Sequence, residues 1–599
     1  AKNSKAHIAV LYKRYELVKT YDDEILTRKD EGGRSPLHLI SSWGQRHPRV
    51  KMTVINGDYI VHEDKNFVKK PETEAYFETM TYLQGKNDND DRDILLNATP
   101  LSYARKSESV GAEMQLLQTK LNELKQLCTR DDVANIVFYS ALLGYDDLCQ
   151  LFTVDELNHY WYASKFSSAK GAETPLLLSC KIGNLKLVDY FVKSGIEINR
   201  VNENGCTPLY LASLNGHDTV VKYLTTVGGD CNRANNNGGL PLHVASFNGH
   251  ESVVKYLVTG GAEFNRVDNW GFTPLYVASQ SGHLLVVEYL VTVGAEINRA
   301  ADDGRTPLYI AAFNGHEKVV EYLTAAGVEI NRATNNGVTP LYAASFNGHR
   351  KIVEYLTTVG AEINRAMNDG STPLCTASRN GHENVVKYLA TVGAEINRVD
   401  VEGLTPLYVA CQKGHENVVQ YLVTVGAEVN RANKFGRTPL YTASFNGHQK
   451  VVECLNTVGA EMKGGDVDGS TPLYAACQNG HRKIVEYLIT VGADVHCPRN
   501  DGAVPLHVAS YKAHEKVVEY LITVGAEINR ADSTDYTPLF IAAFNGHENV
   551  VEILARAGAE INCTDNLGRT PLEVASQNGH KKVAEYLRRL GAEISNFID

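Results

Sequence analysis

The sequence predicts an all-α repeat solenoid, and three observations carry that expectation. Thirteen prolines, from Pro175 through Pro307 to Pro571, follow one another at a constant interval of 33 residues. The residues around them repeat too: TPLYIAAFNGHEKVVEYLTAAGVEINR from Thr306 is followed by TPLYAASFNGHRKIVEYLTTVGAEINR from Thr339. Within each copy, apolar residues recur at helical spacing. A fixed period of this length marks an array whose units pack on their neighbours, so no single central core is needed.

One copy justifies each element in turn. The Thr306 hydroxyl can cap a helix, and Pro307 sits at the first helical position, where no N–H is missed. Leu308, Ala311 and Ala312 form an apolar stripe with small residues for close helix approach, and Gly315 stops the helix. A second helix is expected over about 317–326, with Val319, Val320, Tyr322 and Leu323 inward and Lys318 and Glu321 toward water. Gly327 ends it. The segment VEINRATNNG then extends outward and turns back at Asn335-Asn336-Gly337, which makes the unit helix, helix, hairpin finger.

The string TPLY…A…GH…VV…YL…GAEIN closely resembles the ankyrin repeat, over at least residues 165–599 and thirteen times in register. The resemblance implies an ankyrin-repeat solenoid of antiparallel helix pairs with projecting β-hairpin fingers. The family's TPLH histidine is usually tyrosine here (Tyr210, Tyr276, Tyr309, Tyr342, Tyr408, Tyr441, Tyr474) and remains only at His243 and His507. The usual polar bond from that site to the preceding turn is therefore expected to be altered or absent. Leu240 and Val504 replace the capping threonine, at a cost of about 1 kcal/mol each. Ala513 replaces the helix-stopping glycine, and the finger changes around Gly464, Gly465, Cys497 and Pro498. This zone is expected to have altered curvature or easier opening. The pattern also resembles that modified by asparagine hydroxylases, with Asn298, Asn331, Asn364, Asn397 and Asn529 as candidates; the simpler role is a bond to the finger backbone.

Residues 1–165 are less regular and read as a degenerate, capping N-terminal region with insertions. KDEGGRSPLHLIS (29–41), NATPLSYA (97–104) and ALLGYDDLCQLF (141–152) look like divergent copies. An insertion at about 43–75 is basic, and its alternation of Val54, Tyr59 and Val61 around Asn56-Gly57 signals a hairpin. The acidic segment 87–93 lacks the glycine and terminal glutamate of a calcium loop. A helix with a leucine stripe is expected over 113–127. No phosphate loop, nucleophile elbow or metal-ligand spacing occurs there. Residues 166–599 hold about thirteen regular repeats, the last, 565–599, being a C-terminal cap with a polar outer helix.

Composition narrows the classes. The chain has 599 residues, 43% hydrophobic and 22% charged, an ordinary globular composition. A net charge of -11 argues against a general nucleic-acid binder. No apolar run reaches the ~18 residues of a membrane span. The chain begins at Ala1 without a signal-peptide pattern, so it reads as processed or trimmed. Eleven cysteines without CxxC pairs, among them Cys180, Cys411 and Cys477 at an Ala/Ser repeat position, suit a reducing, cytoplasmic setting.

Three constellations could carry function. Twelve Gly-His histidines, from His217 to His580, look like ligands, but successive copies lie about 10 Å apart, too far for one ion. They read as structural; no metal and no cofactor is expected. Arg266, Arg299, Arg332, Arg365, Arg398 and Arg431 occupy one finger position as a cationic ladder, each three residues after an acid. They either pair with these acids across repeats or form a strip for acidic partners. The third constellation is aromatic. Phe247, Phe313, Phe346, Phe445, Tyr511 and Phe544 end their first helices, where aromatics either form an interaction surface or pack on their own finger. Fingertip departures add Trp270, Phe272, Arg305 and Phe435, of which Trp270 and Phe272 are the leading partner contacts.

These features point to a protein–protein interaction scaffold that binds a partner protein or peptide through groove and fingers, without catalysis, nucleic acid or membrane insertion. The alternative is a pathogen or viral effector or toxin in which the repeats target a host protein and the N-terminal region supplies a second activity.

Overall fold

The computed structural model of the chain describes residues 174–593 in full, and residues 50–55 and 58–63 as backbone. The divergent copies at 29–41, 97–104 and 141–152, the acidic segment 87–93 and the expected helix 113–127 lie outside the described residues. Strands β1 (Val50–Ile55) and β2 (Asp58–Glu63) pair antiparallel, with Val54 opposite Tyr59 and Ile55 opposite Asp58. The connection is thus residues 56–57, where Asn-Gly placed the hairpin turn.

The chain divides into two compact units, residues 1–263 and 264–599. The described part of the first holds six helices, from Pro175–Ile182 to Glu251–Thr259; the second holds twenty, from Pro274–Ser281 to Lys581–Arg589. In each, helices come as pairs, first helix packing on first and second on second along the stack. This is an all-α repeat solenoid. Below, a repeat is named by its proline.

The Pro307 repeat shows how the sequence builds one unit. Thr306 has extended backbone, and its Oγ1 accepts the Tyr309 N–H at 3.1 Å. The helix Pro307–Asn314 ends where Gly315 turns left-handed at φ 84°. A Cβ there would lie 2.7 Å from the His349 ring, so only glycine fits. Leu308, Ala311 and Ala312 of the first helix and Val319, Val320 and Leu323 of the second are wholly or almost wholly buried. Tyr322 is only half-buried, because its hydroxyl reaches back to donate to Glu288 O at 3.4 Å.

The fingers differ from the β-hairpins expected: no residue of 174–593 lies in a strand. Each finger is a tight loop, such as Thr334 N–H to Val338 O at 3.0 Å and Gly337 N–H to Thr334 O at 2.8 Å. Its remaining backbone bonds go sideways to the neighbouring finger, Asn335 N–H to Asp303 O at 3.0 Å and Asn368 N–H to Asn336 O at 2.9 Å. A loop this short has no room for a ladder of its own.

Two side-chain rungs tie successive repeats. The Gly-His histidine donates from Nε2 to a carbonyl one repeat back: His316 to Gln280 O at 2.9 Å, His349 to Phe313 O at 2.9 Å, His382 to Phe346 O at 2.8 Å. At the finger base, Asn298 Oδ1 accepts the Glu329 N–H and Asn331 Oδ1 the Glu362 N–H, both at 2.9 Å. Asn331 Nδ2 also donates to Gly360 O at 3.3 Å, beside the end of the next second helix. The backbone role expected for these asparagines is what the structure shows. Each such bond is worth about 1 kcal/mol net.

The tyrosine-for-histidine exchange redirects the polar bond. Where histidine remains, its Nδ1 accepts its own cap residue's N–H: Leu240 N to His243 at 3.1 Å and Val504 N to His507 at 3.2 Å. These are the two repeats without a capping threonine, and the histidine there secures the cap residue's own N–H, a different bond from the one threonine makes. Where tyrosine stands, its hydroxyl reaches forward to the next finger. Asn235 donates to Tyr210 Oη at 3.1 Å, Asn433 to Tyr408 Oη at 3.3 Å, and Tyr441 donates to Asp466 Oδ2 at 3.2 Å. Tyr276 is buried and its hydroxyl has no partner. The residue in the partner position is Ala301, which has nothing to offer.

Candidate interaction surface

The first helix is buried along nearly its whole length and surfaces only at its last residue. In Pro340–Phe346, Pro340 to Ser345 are buried and Phe346 is 43% exposed. The same position exposes Phe247, Tyr511 and Phe544. Phe313 is half-buried, its ring stacked 6.4 Å from Phe346 and 6.1 Å from Tyr309. Phe445 is half-buried and stacks on Tyr441 at 6.3 Å. The two readings of the aromatic row thus divide by residue: Phe346, Tyr511 and Phe544 remain exposed, even with Phe313 stacked on Phe346 and the Lys512 ammonium 4.9 Å from the Tyr511 ring, while Phe313 and Phe445 are half-buried against the tyrosine of their own repeat.

The backbone under this row is held from the next repeat. Phe346 O accepts from Asn380 Nδ2 and His382 Nε2, both at 2.8 Å; Phe544 O accepts from Asn578 at 2.9 Å and His580 at 3.0 Å. The Asn-Gly-His string therefore fixes the aromatic of the repeat before it.

At the fingertips, Trp270 is 52% exposed and stacks at 6.4 Å on Phe272. Phe272 is half-buried against the core cluster of Tyr276, Val277 and Ile310, its ring 4.5 Å from that of Tyr276. Arg305 lies over the Phe272 ring at 5.5 Å and pairs with Asp303. Of the three fingertip residues Trp270, Phe272 and Arg305, Trp270 alone is mostly exposed. Phe435 is exposed too, with Val401 and Val467 exposed on the fingers before and after it. Val467 N–H donates to Phe435 O at 2.9 Å, so these two tips touch. The sequence reading passed over both valines, although each replaces an asparagine such as Asn335 or Asn368 that bonds the neighbouring tip.

The arginine ladder pairs within its own finger rather than across repeats. Arg299 lies 3.2 Å from Glu296, Arg332 3.6 Å from Glu329, Arg365 3.5 Å from Glu362, Arg398 3.3 Å from Glu395 and Arg431 3.0 Å from Glu428. Three residues along the turn is simply the nearest acid. Arg266 holds the same finger position. Since these pairs are exposed, each contributes little, and each arginine's charge is locally cancelled.

Among the described residues no group of three or more His, Cys, Asp and Glu is placed to hold a metal ion. Burial pushes the Cys180, Cys411 and Cys477 thiols upward, away from thiolate. No described helix is long and apolar enough to cross a membrane.

A family model for ankyrin repeats (three copies) matches in overlapping windows from residue 137 to residue 597. The chain belongs to the ankyrin-repeat family. Ankyrin repeats generally serve as protein–protein interaction modules, which indicates protein partners. Among solved structures the chain is similar to the human ASB11 ankyrin repeat domain, at 27% identity over 36% of this chain and 97% of that one, with a TM-score of 0.34. A search of curated proteins returns no match.

Proposed function

We propose that this ankyrin array is a non-catalytic scaffold that binds a partner protein through the exposed ends of its first helices and its fingertips. The supporting observation is the pairing of exposed aromatics with an immobilised backbone. Phe346 and Phe544 face solvent while two donors hold each carbonyl from the following repeat. An aromatic presented from fixed backbone contributes contact area at little ordering cost, which is what binding hot spots require.

Site-specific photo-crosslinking tests this. A photoreactive residue at Phe346 or Trp270 is expected to give discrete protein adducts in cells, and one at Glu321, exposed on a second helix, is expected to give none. Adducts of equal yield from all three positions would remove the assignment of the surface. Triple substitution of Trp270, Phe313 and Phe346 by alanine should abolish the adduct formed from a probe at Phe544.

A further inference from the structure

We propose that the stack contains a built-in hinge at the Pro472 repeat, opening on the side of the second helices and pivoting on the first. The observation is the loss of finger-base asparagine rungs at two successive junctions. In the unit 264–599 the rung otherwise recurs: Asn265 to Glu296, Asn298 to Glu329, Asn331 to Glu362, Asn364 to Glu395, Asn397 to Glu428 and Asn430 to Glu461, each at 2.9 Å. It resumes from Asn529 to Glu560 and from Asn562 to Glu593, at 2.8 and 2.9 Å. Between them the asparagine position is Lys463 and then His496. Neither gives the next repeat's N–H, on Asp494 and on Glu527, the acceptor that asparagine supplies elsewhere.

Other fastenings on the same side change in the same place. The ion pair within each finger also loses its arginine, to Gly464 and Cys497, which leaves these two finger bases less tied internally. The tyrosine bridge that joins second helices elsewhere, as Tyr355 to Thr324 at 2.9 Å and Tyr388 to Thr357 at 2.7 Å, is kept at the first of these junctions, where Asn456 donates to Tyr487 Oη at 3.0 Å; at the second, Ile489 takes the place of that threonine. Ala493 is only half-buried, while its counterparts Ala460 and Ala526 in the flanking repeats are buried at 7% and 6% exposure. What replaces the second rung is looser: Arg530 donates to His496 O at 3.2 Å, and His496 Nδ1 lies 3.9 Å from Glu527.

The first-helix side keeps its histidine rung throughout, although Lys512 replaces one asparagine and Asn545 bonds its own helix at Ile541 O. His481 donates to Phe445 O, His514 to Gln478 O and His547 to Tyr511 O, at 3.0, 3.0 and 2.8 Å. The fingertips also remain joined, Asn500 N–H to Asp468 O at 2.9 Å and Ser533 N–H to Asp501 O at 2.8 Å. A stack fastened along one edge and released along the other bends about the fastened edge. Hinges occupy the few positions that absorb such motion. The motion would change the angle between the Phe346 and Phe544 surfaces without unfolding either. This inference rests on local rungs and stands independently of which partner binds.

The test uses the full chain. By hydrogen exchange, the Asp494 and Glu527 amides should exchange about tenfold faster than those of Glu329 and Glu362, the loss of about one hydrogen bond. The double variant Lys463→Asn/His496→Asn should restore slow exchange. Paired spin labels, introduced as unnatural amino acids, read the hinge itself. Lys450 with Asn549 spans it, and Lys318 with Asn417 is the matched pair at equal sequence separation. The first pair should give a distance distribution about twice as wide as the second, narrowing in the double variant. Equal protection at the four amides overturns the proposal. So do equal widths in the wild-type chain, which would reduce the missing rungs to local fraying.

Discussion

The Pro307 and Pro505 repeats occupy equivalent places and solve the same problem with different residues. In the first, Thr306 caps the first helix, Tyr309 stacks on Phe313, and Gly315 takes the left-handed turn. In the second, Val504 cannot cap, His507 turns back to hold the cap N–H, and Ala513 takes the left-handed turn at φ 58°. His507 still reaches forward, donating from Nε2 to Tyr536 O at 3.0 Å. The histidine thus holds the cap residue's own N–H and reaches the next finger, while the N–H that threonine would accept, that of His507, goes to the Val504 carbonyl at 2.9 Å. The two solutions should fail differently, and the predictions follow that difference from the largest effect downward.

Gly315→Val should be the most damaging change, at about 3 kcal/mol, because it combines a left-handed β-branched residue with a clash against the His349 ring. Local hydrogen exchange in 307–323 should rise accordingly; unchanged protection would mean the glycine is not needed.

His507→Ala should cost about 2 kcal/mol by leaving the buried Val504 N–H without an acceptor, whereas Tyr309→Ala should leave the Thr306 cap bond intact. The pH response should separate them as well. Burial holds the His507 imidazole below its ordinary range, against the opposing pull of the Tyr536 carbonyl. The unfolded chain therefore takes up this proton first. The contribution of His507 is complete above about pH 6.5 and is lost as pH falls from there through the lower folded value. Exchange at the Val504 amide should accelerate between pH 7 and 5 when corrected for intrinsic rate, and the Thr306 amide should not follow.

Two changes should bring the repeats closer. Ala513→Gly should stabilise the Pro505 repeat by about 1 kcal/mol by removing the left-handed penalty. Thr306→Val should weaken the Pro307 repeat by a similar amount, about 1 kcal/mol. Denaturant midpoints of the full chain, read with probes in each repeat, would show both. The smallest effect expected is a gain of about 0.5 kcal/mol from Ala301→Asn, which offers the buried Tyr276 hydroxyl a partner as Asn235 does for Tyr210. A loss there would show that Tyr276 is better served by its stacking on Phe272 alone.

Much of this was readable from the chain. The helix starts at Thr306-Pro307, the stop at Gly315 and the buried Val320 and Leu323 follow from local chemistry repeated in register. The finger geometry was not readable, because its hydrogen bonds run to the next finger and no single copy contains them. The Gly-His histidines read as structural from the sequence, but the carbonyl that His349 and Asn347 share, that of Phe313 in the repeat before, was hidden for the same reason. Phe272 and Trp270 looked equivalent in sequence; one packs on Tyr276 and the other faces solvent, a distinction that depends on what lies across the fold.

By itself, the sequence determined the period, the helices and the positions that must be small, apolar or glycine, since these obey backbone sterics and helical spacing within one copy. Tertiary structure alone decided which side chains tie one repeat to the next. Those bonds join residues about one period apart, and a missing rung at Lys463 or His496 acquires meaning only beside the intact rungs at Asn430 and Asn529.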